Sequence, residues 1–343
     1  MYTLISDMHY HNWSSFSTTL NTGVNSRLQI IIDETLRAAQ SAKDNGGSLI
    51  LAGDTFHVRG KLAPSVYNPV LAMFKHITSV MGVSVYAIPG NHDLESDTSD
   101  ELGNGADGLH TVGVTMINVV SSIPDLGLVM IPYIKDIEEL KKTITNHADP
   151  SLDLVIHAPV DGVIFGLPDH GLTDGWLADQ GYRRVFSGHY HNHVDFGNGV
   201  YSIGATTHQT WGDTNSKAGF LTVTDEAVAY NASRAPEFFT LTDDVDPDEI
   251  PLLVDGNYVR VTMQVDKESQ VMEMREFLTS NGALGVVINR LKKATTVSRT
   301  GATVKSGASL VESLGEFIKA KKYKKEAELM RLCAEMLNEA GAT

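Results

Sequence analysis

Two short pairs, Asp7-Met8-His9 and His189-Tyr190-His191, place oxygen or imidazole donors two residues apart. At that spacing a turn can aim both side chains at one ion. Asp54, Asn91 and His157 add a carboxylate, an amide oxygen and a third imidazole position. Borderline divalent metals accept such mixed sets. Asp54 stands alone in Gly53-Asp54, which suits a carboxylate shared by two ions. His92 sits beside Asn91 in Gly90-Asn91-His92-Asp93 and need not be a ligand. Two ions in such a set can hold a phosphate ester from both sides and activate water. A positioned imidazole would then help the leaving oxygen depart, an effect of roughly 10²–10⁴-fold. The chemistry these residues point to is hydrolysis of a phosphoester at a dinuclear metal site.

The elements that must position them are visible as apolar runs. Residues 2–5 lead to Asp7, 49–52 to Asp54, 83–88 to Asn91, 152–156 to His157 and 184–186 to His189. Runs of this kind, bounded by Gly, Pro or Asn, read as buried strands. Open α/β sheets place their sites at strand C-terminal ends. Leu28, Ile31, Ile32, Thr35, Leu36 and Ala39 recur at helical spacing, and Asn45-Gly46-Gly47 ends that helix. Val66, Val70, Leu71, Phe74 and Ile77 outline a second amphipathic helix, which is either core packing or a dimer face. From residue 126 to about 239 the pattern is strand-rich. The expectation is two facing sheets flanked by helices.

An acidic, proline-containing run from Asp243 to Pro251 reads as a linker and closes a first domain at 1–245. Strict alternation at Val259, Val261, Met263 and Val265 opens a β-α-β unit assigned to 252–295. Residues 296–309 are rich in Thr, Ser, Gly and Lys and read as a connector. Residues 310–343 return to helical periodicity around a basic stretch from Lys319 to Lys325, itself read as a solvated helix face. Such a terminal helical pair has little core of its own and must dock on the body or on a partner.

The 343 residues carry a net charge of −15 and one cysteine, Cys333. The acidity counts against a free-standing nucleic-acid clamp, since phosphate neutralisation drives that affinity. The single cysteine excludes an internal disulfide and fits a reducing, cytoplasmic setting (the host cytoplasm if the chain is viral). No apolar stretch approaches a membrane span, and the start leaves no room for a signal peptide. No Gly-x-x-x-x-Gly-Lys-Ser/Thr loop is present, so ATP binding by that route is excluded. His11, His193 and His208 read as supporting or surface residues, and His157 on its own could be a hydrogen-bonded core histidine.

The motifs together resemble the calcineurin-like metallophosphoesterases. The fuller pattern resembles the SbcD-type double-strand-break repair nucleases, a group that extends to phage recombination nucleases. His57, three residues after Asp54, stands where those nucleases carry a second catalytic His. Protein phosphatases resemble Gly-Asp-x-Val-Asp-Arg-Gly there; this chain has His57-Val58 instead of the Asp-Arg pair. Gly199 to Gly204 and Lys217-Ala218-Gly219-Phe220 resemble the family's segment after the last His motif. Thr206 departs from the family's frequent Pro without touching an expected ligand.

The resemblance implies an α/β (α+β) fold: a four-layer metallophosphoesterase β-sandwich, a small β-α-β capping domain and C-terminal partner-binding helices. It implies that Asp7, His9, Asp54 and His191 hold one ion and that Asp54, Asn91, His157 and His189 hold the other. His92 would stabilise the transition state and His57 would position the phosphodiester. Arg59 and Lys61, just beyond, are candidates for phosphate contacts or plain loop residues. The ions would be two Mn²⁺, with Mg²⁺ possible. The activity implied is 3′–5′ exonuclease on double-stranded DNA and endonuclease on single strands. The implied partners are DNA, an SbcC-type coiled-coil ABC ATPase and a second copy of the chain, as a homodimer within a heterotetramer. Two other readings stay open: a small-substrate or cyclic-nucleotide phosphodiesterase (or protein phosphatase), and a non-catalytic metal-folded scaffold for an ATPase.

Overall fold

The computed structural model describes residues 1–96, 103–242, 245–291 and 310–339. The expected connector at 296–309 lies outside the described residues. The described residues form two compact units, one within 1–262 and 272–289, the other within 263–271, 290–291 and 310–339.

In chain order the strands are β1 (Tyr2–Ile5), β2 (Ser48–Ala52), β3 (Val85–Ile88), β4 (Val114–Met116) and β5 (Ser121–Ile123). Next come β6 (Leu128–Met130), β7 (Asp153–His157), β8 (Arg184–Gly188), β9 (Val194–Asp195) and β10 (Val200–Ser202). The last are β11 (Gly219–Val223), β12 (Val228–Ala232), β13 (Phe238–Leu241), β14 (Tyr258–Gln264) and β15 (Gly285–Leu291). Among the described residues they form three sheets, ordered β12-β11-β1-β2-β3-β4, β5-β6-β7-β8-β10-β9 and β13-β14-β15. The centres of the two large sheets are parallel, β1 to β4 in one and β6, β7, β8 and β10 in the other.

Alternation along each strand builds three cores. Ile50 and Ala52 of β2 join Leu4, Val155, Phe186 and Leu221 in a cluster shared by the two sheets. Leu49 and Leu51 face the other way, onto helix α1 (Ser26–Asp44) and helix α2 (Pro64–Lys75). Leu154 and Ile156 of β7 face helix α3 (Ile137–Asn146) and helix α4 (Asp174–Ala178). The result is the expected four layers, helix–sheet–sheet–helix. Each fully buried Leu, Ile or Val contributes about 1.5–3 kcal/mol.

Helix α1 starts where Asn25 accepts the N–H groups of Arg27 and Leu28, and ends at Asn45. Its Leu28, Ile31, Ile32, Thr35, Ala38, Ala39 and Ala42 are buried. Helix α2 runs on into a π-helical turn (His76–Met81) that ends at Gly82 with φ 73°. Val66, Val70, Phe74 and Ile77 are buried in the chain's own core, so that core takes up this apolar stripe. Far from the strand ends that carry the motifs, Asp153 receives Arg183, Arg184 and the Tyr2 phenol. This clamp ties β1 to β7 and β8.

Helix α5 (Ile250–Val254) precedes β14, and helix α6 (Glu268–Ser280) precedes β15. The third sheet begins before the acidic run, because β13 pairs in parallel with β14. In the second unit helix α7 (Leu310–Lys321) packs on helix α8 (Glu326–Glu339). Lys319 and Lys325 of the basic stretch are solvated and pair with Glu316 and Glu328 at 3.6 and 2.9 Å. Cys333 is half-buried on α8.

Candidate metal centre

The loops after β1 and β2 run side by side. Asp7 N–H donates to the Gly53 carbonyl at 3.2 Å and His9 N–H to that of Asp54 at 3.0 Å. Asp7, His9, Asp54 and His189 have φ of 51°, 45°, 51° and 105°. Side chains other than Gly rarely adopt such values, and strain of about 1–3 kcal/mol per residue gathers at functional sites. The motif glycines allow close approach. A Cβ on Gly90 would overlap Asp54 N and Oδ1, and one on Gly188 would overlap Ser6 Oγ and the Ala52 carbonyl.

Donor atoms of Asp7, His9 and His191 lie within 4.8 Å of one another, as do those of Asp7, Asp54 and His157. His9 Nε2 is 3.3 Å from His191 Nε2, 3.4 Å from Asp54 Oδ2 and 3.8 Å from Asp7 Oδ1. The other Asp54 oxygen, Oδ1, is 3.4 Å from His157 Nε2. Asn91 Oδ1 is 3.1 Å from His157 Nε2 and 3.0 Å from His189 Nδ1. All the residues expected as ligands therefore meet, with Asp54 turning one oxygen to each group. Asp7 reaches both groups rather than one.

The donor set fits metal ions. Asp7 Oδ1 and His9 Nδ1 are buried with no hydrogen-bond partner among the described residues. Asp7 Oδ2 is used by Ser6 Oγ at 2.6 Å and His189 N–H at 3.0 Å. His157 donates from Nδ1 to the Ala52 carbonyl at 2.8 Å, and His191 from Nδ1 to Asp213 at 2.6 Å. With Nδ1 occupied, each Nε2 is left facing oxygen or nitrogen donors, an arrangement satisfied by a bound cation or, without one, by a proton. Burial alone would lower His157, but the Asp54 charge outweighs it and raises the ring to about 9. Burial holds His9 well below its ordinary value and, with His157 nearby, takes His189 to about 3. This is a His/Asp metal-binding cluster.

His92 and His57 stand at its edge, and donor atoms of His9, His57 and His92 also lie within 4.8 Å. His57 stacks on His92 with centroids 5.5 Å apart and leans on Trp13 at 4.5 Å and His11 at 5.1 Å. Burial, then the neighbouring His11 and His92, lower His57 to about 4. Arg59 Nε donates to the Asn91 carbonyl at 2.9 Å, so it braces the Asn91-His92 peptide. Lys61 is exposed, and its backbone N–H donates to the Arg59 carbonyl at 2.9 Å.

Several supporting residues were not singled out by the motifs. Asp93 accepts N–H groups from Thr55, Phe56 and Gly90 at 3.1, 2.9 and 2.9 Å, joining two ligand loops. Burial and the Asp54 charge push it up to about 7 against those donors. Asp213 holds His191, and Gln209 Nε2 donates to the Asp7 carbonyl at 2.7 Å. The signal for Asp213 was the Thr210-x-x-Asp213 capping box. Thr206 is closer to the site than its sequence implied: its N–H and Oγ donate to the Ser6 carbonyl at 3.2 and 3.1 Å. A Pro could not make the first of these bonds. His193 stacks on Tyr230 at 4.5 Å, and His208 bonds Ser216 and Phe238, both away from the ions' expected place.

No curated protein matches the sequence. Among solved structures, a dimetal phosphatase from Danio rerio aligns with 11% identity and a TM-score of 0.34 over 68% of this chain and 93% of that one. The family model for calcineurin-like phosphoesterases matches residues 2–193. That stretch is more than half of the chain and contains every one of the converging donors, from Asp7 to His191. The protein is thus a member of the calcineurin-like phosphoesterase family and a metal-dependent phosphoester hydrolase.

Proposed function

We propose that the chain is the Mn²⁺-dependent nuclease subunit of an SbcC/SbcD-type recombination and repair complex. Its substrate would be the DNA phosphodiester, cut as 3′–5′ exonuclease on duplex and as endonuclease on single strands. The observation that carries this reading is His57 beside His92 at the rim of the donor cluster. The Asp-Arg pair that resembles protein phosphatases is missing at that place. Polarity and partner rest on the sequence resemblance alone.

Asp7, His9, Asp54 and His191 would hold one ion, and Asp54, Asn91, His157 and His189 the other. Bound divalent ions would supply positive charge against the phosphate and lower the pKa of water. Asp54 keeps the two groups adjacent by facing each with a separate oxygen. A carbonyl can only accept, so His92 donates its Nδ1 proton to His57 O; to help the leaving oxygen depart it would act as the imidazolium, giving the second proton from Nε2. The net charge of −15 favours a partner that supplies basic surface for the DNA. An SbcC-type coiled-coil ATPase and a second copy of the chain are the proposed partners, with the helices at 310–339 as the docking segment.

The test is an assay on end-labelled linear duplex and circular single-stranded DNA with Mn²⁺ or Mg²⁺, with and without the ATPase. Shortening from 3′ ends and opening of the circle are expected. Hydrolysis of a chromogenic phosphodiester with no cutting of either DNA, even with the ATPase, would overturn the nuclease reading.

A further inference from the structure

Residues 206–213 lie outside every ligand motif, yet they hold the side chain of one ligand, His191, and the backbone before and at Asp7, which reaches both donor groups. Gln209 Nε2 holds the Asp7 carbonyl at 2.7 Å, and Thr206 holds the Ser6 carbonyl. Asp213 Oδ1 takes the Nδ1 proton of His191 at 2.6 Å. Its Oδ2 accepts the N–H groups of Gln209 and Thr210 at 2.8 and 2.7 Å, so the carboxylate cannot swing. Asp213 is itself buried. The loop is braced from behind. Arg27 Nη2 donates to the Gln209 carbonyl at 2.6 Å, and its guanidinium lies over Phe238 and Tyr258 at 5.0 and 5.5 Å. Arg260 of β14 lies over Trp211 at 4.7 Å, and Trp211 meets Phe238 of β13 at 4.9 Å.

The other half is built differently. His157 is fixed by the Ala52 carbonyl of β2, and Asn91 is braced by Arg59. None of the bonds described for His157, Asn91 or His189 comes from 206–213.

We infer that Asp213 is a positioning residue for one of the two ions, and that through His191 it sets the affinity of the His9–His191 side rather than that of the Asn91–His157–His189 side. The carboxylate fixes which nitrogen of His191 is free to ligate and where it points. Partners of this kind typically change metal affinity about 10–100-fold. The two ions are then unequal, and the third sheet, through Phe238 and Arg260, braces the loop that carries Asp213.

This inference rests on the two-ion reading, and one titration separates them. Mn²⁺ is titrated into the full chain and into Asp213→Ala and the isosteric Asp213→Asn, with calorimetry and the electron paramagnetic resonance signal of free Mn²⁺ as readouts. Melting without metal checks the fold. The unmodified chain should take up two ions. In Asp213→Ala one ion should weaken about 10–100-fold and the other stay within about twofold, with Asp213→Asn intermediate. Two ions bound as tightly by both variants as by the parent would overturn the positioning role, as would equal weakening of both ions in folded variants. Fewer than two ions in the unmodified chain would overturn the two-ion reading and this inference with it. Should Asp213→Ala not fold, Asp213→Asn alone decides.

Discussion

The ring of His92 is held by the backbone of His57, with His92 Nδ1–H donating to the His57 carbonyl at 2.8 Å. Asp54 Oδ1 accepts the His92 N–H at 2.8 Å. The imidazole is thus tethered to the loop after β2 through both backbone and side chain, and only Nε2 remains for chemistry.

His92→Ala should lower turnover of a chromogenic phosphodiester by about 10²–10⁴-fold. Mn²⁺ uptake and melting temperature should stay close to the parent, since His92 lies outside the proposed ligand set. A variant that still turns over normally would remove His92 from the reaction and favour the scaffold reading.

His57→Ala keeps the carbonyl that orients His92, so small-substrate hydrolysis should survive. Duplex digestion should fall by about 10–100-fold, the scale of a misplaced substrate. Equal losses on both substrates would contradict a role confined to DNA.

Gly90→Ala puts a methyl group into Asp54. Overpacking of this kind costs about 1–3 kcal/mol. A urea melt should show that loss, and Mn²⁺ uptake should fall with it, because Asp54 faces both donor groups. Unchanged uptake would show that the loop yields without moving Asp54.

Asp153 should govern acid stability. Burial would raise its carboxyl, but the bonds from Arg183, Arg184 and Tyr2 outweigh that and hold it below the usual carboxylate range. A folded value below the unfolded value of about 3.9 means full stabilisation above that pH, lost as pH falls through the folded value. Asp153→Asn should cost about 2–4 kcal/mol at neutral pH by stranding two guanidinium groups. The urea midpoints of parent and variant should converge toward pH 3 or below, roughly, as Asp153 protonates. A constant gap across that window would contradict the account.

Chelation should destabilise the protein, since two buried carboxylates lose their cations. Restoring Mn²⁺ at about a hundredfold excess over Kd should return about 2.7 kcal/mol per site. A melting temperature indifferent to Mn²⁺ after chelation would argue against a metal centre.

Sequence by itself determined the local matters. Apolar runs of four to six residues place β2 and β7 to within a residue or two, because a buried strand needs such a run and the residue after it is free to be polar. Helix α1 was legible from Leu28 to Ala39, since its apolar residues recur at helical spacing and Asn45-Gly46-Gly47 ends it; the Asn25 side chain that caps its start shows in the structure. The donors that meet were legible too, because each follows an apolar strand run, and Gly53, Gly90 and Gly188 in three of the motifs let the chains approach. Tertiary structure alone decided what depends on distant partners. Nothing local to Asp213 says that His191 lies 2.6 Å away, or that Asp7 reaches both donor groups. Nothing local to Phe238 pairs β13 with β14 across the acidic run. Register across long gaps is set by packing, and packing is a property of the whole fold.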